Sequence, residues 1–186
     1  MIQGLYKCFE HWAETGTVWI YSDTHFNDDK DLKIPFPDRP AAEEHIKLIN
    51  SKVGKKDTLI LLGDIGDIEC VKKLKGYKVL ITGNHDVGCS NYIDAFDEVY
   101  GGPLMISPKI ILSHEPLDID WAFNIHGHTH CRGFDRLGHL CVCSDTVRYT
   151  PINFNQFVKS GRLSEVTPLH RITIDKATVR KKLKNK

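Results

Sequence analysis

Seven residues between positions 23 and 130 carry the donor atoms of a metal centre: Asp23, His25, Asp64, Asn84, His114, His128 and His130. Asp23 and His25 stand two apart, so both can reach one ion if the chain bends into a loop there. Asp64 has two carboxylate oxygens, one for each of two ions. Asn84 offers an amide oxygen, and the remaining three offer imidazole nitrogens. A mixed nitrogen and oxygen set without thiolate suits borderline ions better than Ca²⁺. Two divalent ions are therefore expected, Mn²⁺ first, with Fe²⁺, Zn²⁺ or Ni²⁺ able to use the same donors.

Charge arithmetic suggests what such a centre would bind. Two divalent ions carry four positive charges, and Asp23, Asp64 and a bridging hydroxide offset three of them. The remaining charge faces outward, where a phosphate oxygen could sit. Two ions about 3.5–4 Å apart activate water and stabilise the charge of an in-line displacement, so no side-chain nucleophile is needed. His85 lies beside the proposed ligand Asn84. An unligated histidine there could contact phosphate and protonate the leaving oxygen. Nearby cations would lower its pKa, and a carboxylate partner could counter that; Asp67 is the first candidate. Asp67 is equally well placed to cap a following helix.

These residues need a scaffold that brings them together. Short apolar runs of strand length recur at 18–21, 58–62, 78–82, 109–112, 122–125, 139–143 and 171–174. Their continuous apolarity suggests strands covered on both faces. Between them the spacing predicts helices, one with Pro40 in its first turn and Ile46, Ile49 and Val53 on its inner face. A shorter helix is expected from Ile68 to Leu74 with Gly76 as its stop. Another should start near Asn153, with Gln156 completing a capping box and Gly161 ending it. Strands alternating with helices make an α/β protein. SDTH, GD, GNHD, SHEP and HGHTH follow five consecutive strands, so the candidate ligands sit at strand C-terminal ends. In an open sheet those ends share one edge, where ligands bind.

The ordered series D-x-H, G-D, G-N-H-D, H and G-H-x-H, from about Val18 to Pro151, resembles the calcineurin-like metallophosphoesterases, in the small prokaryotic or phage-type form. The resemblance implies two mixed β-sheets packed as a sandwich with helices outside, a four-layer fold. It places Asp23, His25, Asp64 and His130 on one ion, and Asp64, Asn84, His114 and His128 on the other. It makes His85 the phosphate-contacting catalytic histidine. The implied activity is hydrolysis of a phosphodiester or phosphomonoester, the diester first, through hydroxide bridging the two ions. The alternative is a non-catalytic, metal-binding interaction module on the same scaffold.

Composition narrows the partners. With 25 Lys and Arg against 24 Asp and Glu, the net charge of +1 gives no general attraction to nucleic acid or acidic membranes. A small phosphate ester or nucleotide is the expected substrate. The 186 residues suit one domain, with an extension over 1–17 and a basic tail over 176–186. No run approaches the roughly 20 apolar residues of a membrane span. The six cysteines lack the spacing of a disulfide framework, so a cytoplasmic protein is expected. Cys131, Cys141 and Cys143 match no familiar zinc pattern and read as packing. Besides Asn84 and His85, Arg132 is the best candidate to bind substrate, ahead of Lys30 and Arg39. His126 reads as an ordinary strand-end residue, and His11, His45, His139 and His170 belong to no motif.

Overall fold

In the computed structural model, which describes residues 4–28, 38–130 and 137–169, the apolar runs form strands whose side chains alternate between two interiors. From β1 (Val18–Tyr21), Val18 and Ile20 enter one core while Tyr21 enters the other. In β2 (Thr58–Leu61), Ile60 and Leu59 divide in the same way. This is the period of two of an extended chain, with both faces buried. Continuous apolarity in the sequence therefore reflects two cores, one on each side of the sheet.

The five-stranded sheet has the order β4-β3-β2-β1-β9. β3 (Tyr77–Ile81) and β4 (Glu98–Tyr100) run parallel to β1 and β2, and β9 (Ile152–Asn153) is antiparallel at the edge. The four-stranded sheet has the order β5-β6-β7-β8. There β6 (Ile110–Ser113), β7 (Phe123–His126) and β8 (His139–Cys141) are parallel, and β5 (Leu104–Ser107) is antiparallel. The protein is thus α/β, with two mixed sheets forming a sandwich. Its inner core joins Ile20, Ile60 and Val79 of one sheet to Leu112, Phe123 and Ile125 of the other.

Helices cover the outer face of the five-stranded sheet. α1 (Ala42–Lys52) buries Ile46 and Ile49 there, and α2 (Ile68–Val71) buries Cys70 and Val71. Pro40 precedes the N-cap residue Ala41 and so lies outside the first turn where it was expected. Its lack of an N–H is equally harmless before a cap. α2 ends as a regular helix at Val71, short of Leu74. α3 (Phe154–Lys159) starts as predicted, with the Asn153 side chain accepting from the Gln156 N–H at 3.0 Å.

The N-terminal extension belongs to the core. Its 3₁₀ turn, Lys7–Ala13, places Phe9 and Trp12 between the sheets. The Trp12 indole N–H donates to Glu98 on β4 at 2.8 Å, and the Tyr6 N–H donates to Ile106 O on β5 at 2.9 Å. One short segment thus ties both sheets together. Among the described residues, no helix is long and apolar enough to cross a membrane. Lys30, Cys131, Arg132, His170, the strand expected at 171–174 and the basic tail lie outside the described residues.

Candidate metal centre

All seven candidate ligands follow strand ends, but the strands belong to two sheets. Asp23 and His25 follow β1, Asp64 follows β2 and Asn84 follows β3; His114 follows β6, and His128 and His130 follow β7. The site therefore straddles the two sheets, where the residue pattern alone suggested one shared edge. Backbone hydrogen bonds stitch the loops together: Asp23 N–H to Gly63 O at 3.0 Å, His25 N–H to Asp64 O at 3.0 Å, and Gly127 N–H to His114 O at 2.9 Å.

The glycines of the motifs permit this approach. A Cβ on Gly127 would lie 2.0 Å from Ser22 Oγ and 2.3 Å from Asp23 Oδ2. One on Gly83 would lie 2.3 Å from Asp64 Oδ1 and 2.8 Å from His114 Nδ1. The bends carry strain as well. Asp23, His25, Asp64, His128 and His130 have φ of 57°, 40°, 53°, 67° and 45°, in the left-handed region. Each such non-glycine conformation costs on the order of 1 kcal/mol or more, and such strain clusters at functional sites.

Two groups of donor atoms result. In the first, His130 Nε2 lies 3.2 Å from Asp23 Oδ1, and His25 Nε2 lies 4.0 Å from the same oxygen. In the second, His114 Nε2 lies 3.4 Å from Asp64 Oδ2 and 2.8 Å from Asn84 Oδ1. His128 Nδ1 lies 2.9 Å from Asn84 Oδ1 and 3.2 Å from His114 Nε2. Asp64 Oδ2 is also 3.6 Å from His25 Nε2, so its carboxylate adjoins both groups. Asp23, His25, Asp64 and His114 are buried, whereas Asn84, His85 and His128 are exposed and mark the open side.

Several histidines are held by their other nitrogen. His25 Nδ1–H faces Asp28 at 3.2 Å, His114 Nδ1–H donates to Leu62 O at 2.7 Å, and His130 Nδ1–H donates to Asp145 at 3.0 Å. These acceptors keep a proton on Nδ1 and turn Nε2 toward the centre, as metal-binding histidines require. His25 Nε2 is buried without a hydrogen-bond partner. An orphaned imidazole nitrogen facing two buried carboxylates is what a missing cation would leave. The donors fit divalent ions: Asp23, His25 and His130 in one group, Asp64, His114 and His128 in the other.

Sequence reasoning missed the residues that brace these ligands. The Asp86 carboxylate accepts from the N–H groups of Gly83 at 2.7 Å, Asp64 at 2.9 Å and Ile65 at 3.0 Å, holding two ligand loops at once. Tyr92 Oη–H donates to the same carboxylate at 3.2 Å. Asp86 closes the GNHD motif, so its position was visible but its task was not. Asp28 stands three residues after His25, whereas nothing local marks Asp145.

The other candidates separate. The His85 N–H donates to Asp64 Oδ1 at 3.0 Å, and its ring centroid lies 5.7 Å from that of His25. Asp67 is the N-cap of α2, accepting from the Glu69 N–H at 3.0 Å and from Asn27 at 2.8 Å. No hydrogen bond joins it to His85 among the described residues. Arg39 donates to Thr24 O at 3.1 Å, close to the β1 loop. His130, Cys143 and Asp145 also bring donor atoms together. Burial pushes the Cys143 thiol far up, so it remains neutral and serves as acceptor for the His130 N–H at 3.4 Å.

Electrostatics show a site built for positive charge. Burial alone would raise the Asp23 carboxyl, but the His130 hydrogen bond and the charges of His114 and His130 hold it at about 2. Burial alone would lower His130, yet hydrogen bonds to Asp145 and Asp23 raise it to about 10. His114 rises to about 8 against its burial, chiefly through Asp64 and Asp23. In chelated protein, protons on these imidazoles would offset the buried carboxylates. The stability contributed by His114 and His130 is complete below their ordinary value of 6.5 and is lost as pH rises through about 8 and then about 10. Chelated protein is therefore expected to lose roughly 5 °C or more of Tm between pH 6.5 and 10. Added Mn²⁺ should restore most at the alkaline end, where it no longer displaces protons. Melting curves across that range would test this, and a flat chelated profile would contradict it.

No protein-family model matches the sequence, and no curated protein matches it. Among solved structures, the protein of unknown function AQ665 from Aquifex aeolicus is 22% identical, with a TM-score of 0.59 over 77% of this chain and 98% of that one. That likeness shows the fold. A nuclease, MPE, from Pseudomonas putida is 22% identical over 61% of each chain, at a TM-score of 0.45, too loose a likeness to bear on activity.

Proposed function

We propose that this protein is a metal-dependent phosphoric ester hydrolase of the calcineurin-like metallophosphoesterase type, acting on a phosphodiester or phosphomonoester. The observation that carries this reading is the pair of donor groups meeting at Asp64, with His85, a member of neither group, on their open side. Asp23, His25, Asp64 and His130 would hold one ion; Asp64, Asn84, His114 and His128 would hold the other. When bound, two such ions supply a Lewis-acidic surface for phosphate oxygens and lower the pKa of water.

The remaining work falls to the chain. Asp23 and Asp64 keep negative charge buried, so the centre would hold cations without an anionic substrate. Asn84 and His85 face the open side, where the ester arrives. The His85 imidazole hydrogen-bonds a phosphate oxygen and gives its proton to the departing alcohol oxygen. Asp28, Asp86 and Asp145 hold the ligand loops in place before substrate binds, which lowers the reorganisation needed during reaction.

The test is hydrolysis of p-nitrophenyl phosphate and bis(p-nitrophenyl) phosphate by chelated protein, with and without Mn²⁺. Turnover that appears only with metal supports the hydrolase. Two ions bound with no turnover of either ester would favour a metal-binding interaction module.

A further inference from the structure

A cleft of about 280 Å³ opens beside the second donor group. Its lining includes Asn84 and His114, Gly101 and Gly102 from the β4–β5 connection, and Glu115 and Leu117 after β6. Its volume is near the lower end of small-molecule sites, which run from about 300 to 1,000 Å³. Two of its lining residues are proposed metal ligands, so a molecule in the cleft adjoins the position where the phosphoryl group would sit.

The lining chemistry is selective. Among the described residues that line the cleft, Glu115 alone carries a carboxylate, and none is a lysine or arginine. Glu115 is exposed, and its carboxylate makes no hydrogen bond or ion pair among the described residues. Such a lining repels an anion and accepts donors or positive charge. At Gly102 an added Cβ would meet no heavy atom within 4 Å, and its φ is not left-handed. A larger side chain is therefore accommodated at that position without backbone strain.

We propose that this cleft is a subsite for one organic arm of a phosphodiester, and that it takes compact arms that are neutral or cationic. The inference rests on the hydrolase reading above and adds the substrate class. The arm placed here is the retained one, opposite the departing alcohol; a monoester has no retained arm, so contacts in the cleft would favour diesters. The carboxylate of Glu115 disfavours arms that carry further negative charge, such as extended nucleic-acid strands.

The experiment uses the full-length Mn²⁺-loaded protein and p-nitrophenyl aryl phosphates that differ only in the para substituent of the second ring: trimethylammonium, hydrogen or carboxylate. The wild-type kcat/KM is expected to fall in that order, by about three- to fivefold per step, as one exposed charge pair allows. Glu115→Lys should invert the order. Gly102→Leu should lower the ratio of diester to monoester kcat/KM at least about tenfold by filling the cleft. Diphenyl phosphate should broaden or shift the Gly101 and Gly102 amide resonances of the diamagnetic Zn²⁺-loaded protein, a readout independent of turnover; unchanged resonances would overturn the subsite. If diesters are hydrolysed but neither variant changes the order or the ratio, the subsite is overturned and the hydrolase stands. If no ester is hydrolysed by metal-loaded protein, the hydrolase reading fails and the subsite with it.

Discussion

Asp64→Asn is expected to weaken both ions together, by at least about 100-fold each. Asp64 Oδ1 accepts the His85 N–H at 3.0 Å, so an asparagine there must keep its carbonyl oxygen on that side. Its NH₂ group then takes the place of Oδ2, which lies 3.6 Å from His25 Nε2 and 3.4 Å from His114 Nε2. A donor replaces a charged acceptor at the point where both groups meet. Desolvation sharpens the loss, because the position is 2% exposed and water cannot compensate. Ester hydrolysis should fall at least in proportion. Calorimetric titration with Mn²⁺ reads the two binding events separately. Normal binding of either ion would show that Asp64 does not serve both.

His85→Ala should have the opposite signature: both ions retained and turnover reduced by about 10²- to 10⁴-fold. The His85 side chain is exposed, and its described hydrogen bond to Asp64 uses the backbone N–H, which alanine keeps. Folding and metal content should therefore survive. The acid role makes a finer prediction. The loss should be greatest for alkyl leaving groups, which need a proton, and least for p-nitrophenolate, which departs unprotonated. His85→Gln keeps a hydrogen-bond donor for phosphate but cannot supply that proton, so it should recover binding more than rate. A variant as active as the wild type on alkyl esters would remove the acid from the mechanism.

How much of this was legible beforehand differs from residue to residue. Runs such as Val18–Tyr21 and Thr58–Leu61 announce themselves because strands buried on both faces admit little but apolar side chains. β4 and β5 gave no such signal: Glu98–Tyr100 is only half-buried, and Leu104–Ser107 is half-buried over its first two residues. β9 is two residues long at a sheet edge, too short to carry a pattern. Asp67 offered two readings, and its hydrogen bonds in the fold place it at the cap of α2.

From sequence alone came the donor types, their order after strand ends and the α/β class, with the sandwich implied by the family resemblance of the motifs. That information is local, because coordination demands particular atoms and a glycine must stand where one loop presses on the next. Tertiary structure alone divided the ligand-bearing strands between two sheets and brought the N-terminal turn into the core. It also joined Asp86 to the Asp64 loop and Asp145 to His130, pairs separated by more than a dozen residues. An aspartate looks the same in sequence whether it braces a ligand, caps a helix or meets solvent. The distinction lies in which donor the folded chain brings to its oxygens, and only packing across the two sheets decides that.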